Sequence, residues 1–300
     1  MNLETLKLFC DVVGCRSFSR GAARNGISQS AASQAVGQLE REFGARLIDR
    51  GKRPFVLTRE GELCYESLRD TVQNYEALKA TIRSLHQEMA GLVRVAAIYS
   101  VGLHDMGKCM QDFMGQYPKA KVRIEYLLPS KVQRAVLNEE ADIGVLSYPT
   151  ATRELAAIPL RSDPMVLVCR PDHHLASKKS VAIRELDGEN MVAFDRDLVI
   201  RKEIDRHLRE RQVVVRTVME FDNIETIKQA VEIGAGVSLL PAPTVRKEVR
   251  AGLLATVSLS NSMLMRPIGI IHRKRKIFTP VVSRFVELLQ AGASDSDGPG

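Results

Sequence analysis

SFSRGAARNGISQSAASQAVGQLEREF, residues 17–43, reads as two short helices joined by a tight turn. Phe18, Ala22 and Ala23 stand at helical spacing on the first. Gly26 breaks that helix, and the Ser28 hydroxyl is placed to cap the next. On the second helix Ala32, Val36, Leu39 and Phe43 recur at steps of four, three and four, which predicts a buried stripe. Gln29, Ser30, Ser33 and Gln34 are left on the outward face near its N-terminal end. Small and hydrogen-bonding side chains at a helix end are what direct readout of base edges requires. The competing reading is an αα-hairpin with a merely solvated face.

The flanking residues favour the nucleic-acid reading. Downstream, LIDRGKRPFVLTREGE (47–62) places Arg50, Lys52 and Arg53 around Gly51 and Pro54, followed by the β-prone run Phe55-Val56-Leu57. This predicts a two-stranded wing, basic at its tip, suited to a phosphate backbone. Residues 1–58 hold nine basic against five acidic side chains, so more than half of the chain's net +7 falls in about a fifth of its length.

These segments together resemble the N-terminal winged helix-turn-helix of LysR-type transcriptional regulators. The matching phrases are Ser28-Gln29-Ser30-Ala31-Ala32-Ser33 at the start of the reading helix, Leu47-Ile48-Asp49-Arg50, and Leu57-Thr58-Arg59-Glu60-Gly61. Ser30 stands where that family often has proline, and Gln34 where it often has a basic residue. Both departures bear on which sequence is read. The resemblance implies a DNA-binding set of Ser28, Gln29, Ser30, Ser33, Gln34, Arg50, Lys52, Arg53 and Thr58, and a cytoplasmic regulator that is not an enzyme.

After the wing, residues 59–89 read as one long helix of about 45 Å at ~1.5 Å per residue. Leu68, Val72, Tyr75, Leu78, Ile82, Leu85 and Met89 form a regular stripe along it. Between domains, such a stripe predicts pairing with a second copy, giving a homodimer or homotetramer whose operator is an imperfect inverted repeat. Promoter DNA and RNA polymerase are the implied macromolecular partners.

From Gly91 onward strands alternate with helices. Strands are expected at 92–98, 122–128, 142–146, 165–169, 190–194, 213–221, 236–240, 253–257 and 268–272. Helices are expected at 102–117, 130–140 and 279–290, the signature of parallel-rich sheets flanked by helices. The fold class is therefore α plus α/β. The resemblance implies two lobes like those of a periplasmic binding protein, with lobe 1 at 91–161 and 267–290 and lobe 2 at 162–266. The expected organisation is a DNA-binding domain at 1–58, a linker helix at 59–90, an effector domain at 91–290 and a disordered tail at 291–300.

A cleft between two such lobes, at the carboxyl ends of strands, is where a small ligand belongs. The effector candidates are Ser100, Val101, Ser130, Ser147 and Tyr148 from the first lobe, and Phe194, Ile200, Phe221 and Asn223 from the second. Lys131 and Arg201 are neighbours of this set. Ser100 and Ser130 stand at helix starts, which suit an anionic or carboxylate-bearing metabolite.

Other chemistry is poorly supported. No apolar run reaches eighteen residues, and MNLETLKLF lacks a basic region followed by an apolar core, so neither membrane span nor signal peptide is expected. Five scattered cysteines without a CxxC point to reduced thiols. GAGVSLLP (234–241) lacks the third glycine of a dinucleotide loop, and Gly144-Val145-Leu146-Ser147 is not a nucleophile elbow. His173-His174 has no acidic or cysteine partner at ligand spacing in sequence, so neither metal nor cofactor is expected. Two alternatives remain open: a small-molecule-binding or enzymatic module with an N-terminal assembly domain, and a regulator that works without a ligand.

Overall fold

The computed structural model describes residues 2–52, 54–84, 89–260 and 264–294. Arg53, Leu85 and residues 295–300 of the expected tail lie outside the described residues. The chain divides into two units: residues 1–89 with 275–283, and the remainder.

The first unit contains α1 (Leu3–Gly14), α2 (Phe18–Arg24), α3 (Gln29–Phe43), β1 (Ile48–Asp49), β2 (Val56–Leu57) and α4 (Arg59–Ser84). Three helices begin at side-chain caps. Asn2 accepts from the Thr5 N–H, Ser17 from Arg20 and Ser28 from Ala31, each satisfying one amide that the helix leaves open. Phe9, Val12, Ala22, Ala32, Val36, Leu39, Leu47 and Ile48 make the core. Phe43 is exposed rather than continuing the buried stripe, because α3 ends there with Gly44 in a left-handed turn (φ 66°). β1 and β2 pair antiparallel, Ile48 opposite Leu57, and form the expected wing. Gly61 lets the first turn of α4 cross the chain: a Cβ there would lie 1.9 Å from the Leu47 carbonyl oxygen. Along α4, Leu68 and Val72 pack on the core, whereas Tyr75, Leu78 and Ile82 are exposed.

The second unit opens with β3 (Gly91–Ala97), α5 (Tyr99–Gln116), β4 (Ala120–Tyr126), α6 (Pro129–Leu137) and β5 (Ile143–Ser147). β3 lies parallel to both β4 and β5. β6 (Leu155–Cys169) is one long strand. Next come β7 (Ser180–Ala182), β8 (Asn190–Phe194), α7 (Val199–Glu210), β9 (Arg216–Phe221), α8 (Ile224–Glu232) and β10 (Ser238–Pro241). The chain ends with α9 (Arg246–Arg250), β11 (Ala255–Ser260), β12 (Met265–Arg273) and α10 (Pro280–Ser294). Among the described residues, sheet order is β4-β3-β5-β12-β6-β11-β7, with β10 also paired to β6 and β8-β9 forming a separate parallel pair.

Three expectations are corrected. β6 starts ten residues before the expected 165, because its first half pairs antiparallel with β12. Pro159 hides this in the sequence, yet it sits beside a register irregularity opposite Gly269, where a missing N–H is tolerated. β9 begins at Arg216, not 213. α10 continues through Ser294, so residues 291–294 are helical and not tail.

β6 therefore belongs to both halves of the sheet. Residues 155–164 pair with β12, and residues 165–169 pair with β10 and β11. A separate core running from Met165 to Leu264, including Leu167, Val192, Ile227 and Leu240, fills the second lobe. The chain crosses between lobes twice, at 163–165 and 264–266. There Arg266 stands directly opposite Asp163. No helix among the described residues is long and apolar enough to cross a membrane.

Candidate functional site

In the first unit, the outer surface of α3 is set by what lies beneath it. Gln29, Ser30 and Gln34 are exposed, and Lys52 is exposed on the wing. Four other expected DNA-binding residues, Ser28, Ser33, Arg50 and Thr58, are already engaged within the fold. The Ser28 hydroxyl accepts from the Ala31 N–H (3.1 Å) and lies 2.9 Å from that of Ser30. The Thr58 hydroxyl donates to the Arg46 carbonyl (2.6 Å) and accepts from the Gly61 N–H (3.0 Å), fastening the wing to α4. Arg50 reaches back from the wing, donating to the Ser33 hydroxyl (3.1 Å) and to Glu40 (3.2 Å) with its guanidinium over the Phe18 ring. Arg53 lies outside the described residues.

Glu40 organises this arrangement and was not anticipated. One carboxylate oxygen accepts from the Leu47 and Ile48 amides (2.9 and 3.1 Å), and the other from Arg50. In sequence it is one more acid on a helix; only the chain's return at β1 gives it amides to bind.

In the second unit a cavity of about 460 Å³ opens between the lobes. Ser100, Ser130 and Ser147 line it from the first lobe, and Phe194, Ile200 and Asn223 from the second. Val101 is buried away from it. Tyr148 instead sends its hydroxyl to the Met265 carbonyl (3.5 Å), and burial pushes that phenol up to about 12. Phe221 packs on the second-lobe core. Lys131 does not line the cavity, and Arg201 is tied to Asp205, Glu220 and the Phe194 carbonyl.

The starts of α5, α6, α7 and α8 all meet this cavity. Ser100 and Ser130 are not the helix caps; Ile98 and Leu128 hold those positions, and no side chain caps α5, α6 or α7. The Ser100 hydroxyl is held instead by Arg266, and Ser130 lines the cavity. At α8, Asn223 does cap, accepting from the Thr226 N–H (2.9 Å).

Arg266 is the residue the sequence reading missed. Its side chain is 2% exposed, reaches the cavity, and pairs with Asp163 at 2.7 Å while donating to the Ser100 hydroxyl at 3.0 Å. Asp163 also holds Arg161 at 2.8 Å. The crossover between lobes is thus wired to the start of α5. Asp195, Asp197 and Asp222 line the second-lobe side. The cavity therefore offers helix N-termini from both lobes, a guanidinium on the first-lobe side, and carboxylates beside the α7 and α8 starts.

Two further expectations meet the structure here. Burial pushes the Cys109 and Cys169 thiols up to about 11, away from the thiolate form that redox chemistry uses. The histidine pair does acquire an acidic partner, which sequence spacing conceals: Glu189 lies 3.6 Å from His173 and 3.2 Å from His174.

Comparison with known proteins covers both parts of the chain. Residues 3–62 match the bacterial regulatory helix-turn-helix of the lysR family, and residues 86–294 match the LysR substrate binding domain. The chain belongs to the LysR family of transcriptional regulators. It is 26% identical to the HTH-type transcriptional regulator CysL of Bacillus subtilis over 97% of both chains. A full-length OxyR variant from Pseudomonas aeruginosa shares its fold, with a TM-score of 0.79 at 22% identity, covering 98% of this chain and 94% of that one. The regulatory domain of CcmR from Synechocystis PCC6803, solved in complex with 2-PG, matches with a TM-score of 0.63 at 23% identity over 68% of this chain and 98% of its own. This LysR regulator is a DNA-binding transcription regulator with an effector-binding domain, and not an enzyme.

Proposed function

We infer that the exposed end of α3 reads one half of an inverted-repeat operator, and that the cleft binds a small organic anion whose capture changes operator bending. The observation that carries the ligand class is the convergence of three uncapped helix starts on one cavity. Backbone N–H groups and the positive ends of helix dipoles favour a carboxylate or phosphate there, and Arg266 adds a buried positive charge. Asp195, Asp197 and Asp222, beside the α7 and α8 starts, are hydrogen-bond acceptors, so the favoured anion also carries hydroxyl or amine donors. A cavity of about 460 Å³ favours this over a regulator that works without a ligand.

On the DNA side, Gln29, Ser30 and Gln34 supply hydrogen-bonding groups, with Ser33 held from behind by Arg50. The exposed Tyr75, Leu78 and Ile82 of α4 support pairing with a second copy. Two copies present two reading helices, and ligand-driven lobe closure alters the angle between them and hence the bend passed to RNA polymerase.

The test is a binding titration on fragments surrounding the protein's own gene, with end-labels reporting the bend. Gln29→Ala is expected to lose about 1–3 kcal/mol of preference for operator over scrambled duplex. Lys52→Ala is expected to weaken both duplexes equally and lower the salt slope by about one. Small hydroxy or amino acids should change the end-to-end distance. An unchanged bend with these ligands, and a response only to cationic or neutral metabolites, would overturn the ligand assignment.

A further inference from the structure

His173 and His174 stand in the turn that follows β6, outside the cleft and the DNA-reading surface. The turn is closed by the His173 N–H donating to the Arg170 carbonyl (3.1 Å) and the Ala176 N–H to the His173 carbonyl (2.9 Å). Arg170 further braces it through a two-point ion pair with Asp172 (2.9 and 2.7 Å). Glu189 comes from a different segment, immediately before β8. Its backbone is fixed on both sides, its N–H donating to Leu186 (3.1 Å) and its carbonyl accepting from Arg216 (2.8 Å). Two separately anchored pieces of backbone thus deliver three metal-ligating side chains to one place.

The fit is specific. Each carboxylate oxygen of Glu189 faces one imidazole, Oε2 toward His173 Nε2 at 3.6 Å and Oε1 toward His174 Nε2 at 3.2 Å. One ligand atom from each of the three residues falls within 4.8 Å of the others. For metal–ligand bonds of about 2.0–2.1 Å, the edge of a tetrahedron is about 3.3–3.4 Å; the two carboxylate–imidazole separations, each to a different oxygen, bracket that edge. The two rings lie side by side, centroids 4.5 Å apart. The His174 side chain is 64% exposed, leaving water access to the remaining coordination positions.

We propose that His173, His174 and Glu189 form a binding site for a divalent transition-metal ion of the zinc, nickel, copper or cobalt type. Two imidazoles and one carboxylate suit these borderline ions, whereas calcium and magnesium require oxygen-rich sets. Binding requires one internal rearrangement. The Leu175 N–H donates to His173 Nδ1 (3.3 Å), which keeps the ring proton on Nε2. Coordination at Nε2 moves that proton to Nδ1 and opens the Leu175 hydrogen bond. The bound ion then joins the turn after β6 to the start of β8.

The experiment uses tag-free full-length protein, stripped with chelator and titrated with cobalt(II) while visible d–d absorption is recorded, with zinc competition read by calorimetry. The expected result is saturable uptake of one ion per chain, displaced by zinc, and a higher melting temperature for the loaded protein. His174→Ala, at an exposed position, and Glu189→Gln should each weaken binding about tenfold or more while leaving the metal-free melting temperature near wild type. No saturable uptake, affinity unchanged in both variants, or a thiolate charge-transfer band showing cysteine ligation would each overturn the proposal.

Discussion

Arg50 and Arg266 do the same local job in the two units and do it in opposite surroundings. Each pairs with a carboxylate and donates to a serine hydroxyl. Arg50, with its side chain 46% exposed, meets Glu40 and Ser33; Arg266, 2% exposed, meets Asp163 and Ser100. Near water, an ion pair is screened and contributes about 0–1 kcal/mol, so its partners are exchangeable at small cost. Away from water, the charges have no substitute for each other, and removing one strands the other. The DNA-reading unit thus keeps its polar groups in reach of an incoming duplex. The sensing unit builds its polar groups into the crossover, where their arrangement is fixed before a ligand arrives.

The largest expected effect tests the buried side of that contrast. Asp163→Asn leaves both Arg266 and Arg161 without their shared carboxylate. Denaturant melts of the purified protein should show a loss of about 3–5 kcal/mol in the transition of the effector unit. A loss under about 1 kcal/mol would mean that water reaches the crossover and that the two arginines differ less than their burial indicates.

Glu40 sits between these extremes, since its carboxylate also holds the Leu47 and Ile48 amides. Glu40→Ala should cost about 2 kcal/mol, because two backbone donors and a guanidinium lose one acceptor group. Glu40→Gln keeps an oxygen for the amides and should recover most of that loss in a thermal melt. Equal losses in the two variants would show that the Arg50 ion pair, not the amides, carries the stabilisation.

The same contrast explains what was legible in the chain. The helix-turn-helix is encoded locally: Gly26 breaks the first helix, Ser28 caps the second, and the apolar steps of α3 bury Ala32, Val36 and Leu39, all within one short stretch. The effector cleft is assembled from segments far apart in sequence. Asp163 and Arg266 are separated by 103 residues, and nothing near either one announces the other. A charged residue between prolines or beside a methionine reads as surface until the strands pair. The first half of β6 was hidden for the same reason, its period interrupted by Pro159 and Pro164. Residue type alone also did not show that Arg50 and Thr58, side chains suited to phosphate, are bonded within the unit. His173-His174 was visible as a pair, but Glu189 reaches it only because β8 begins beside the turn after β6.

The smallest expected effect on stability is the most informative about Arg50. Arg50→Ala removes a partly exposed ion pair, so the melt should shift by about 0–1 kcal/mol. Its consequence for DNA depends on which job the guanidinium performs. If Arg50 neutralises a phosphate, its removal would weaken operator and scrambled duplex alike and lower the salt slope by about one. If it acts as a brace, its removal would free the Ser33 side chain and the wing while leaving the number of neutralised phosphates unchanged. The bonds to Ser33 and Glu40 and the stacking on Phe18 favour the brace. Binding measured across a salt series should therefore keep its slope and lose discrimination between the two duplexes. A slope reduced by a full unit with discrimination intact would return Arg50 to the phosphate-binding set and leave Ser33 to hold its place on α3 unaided.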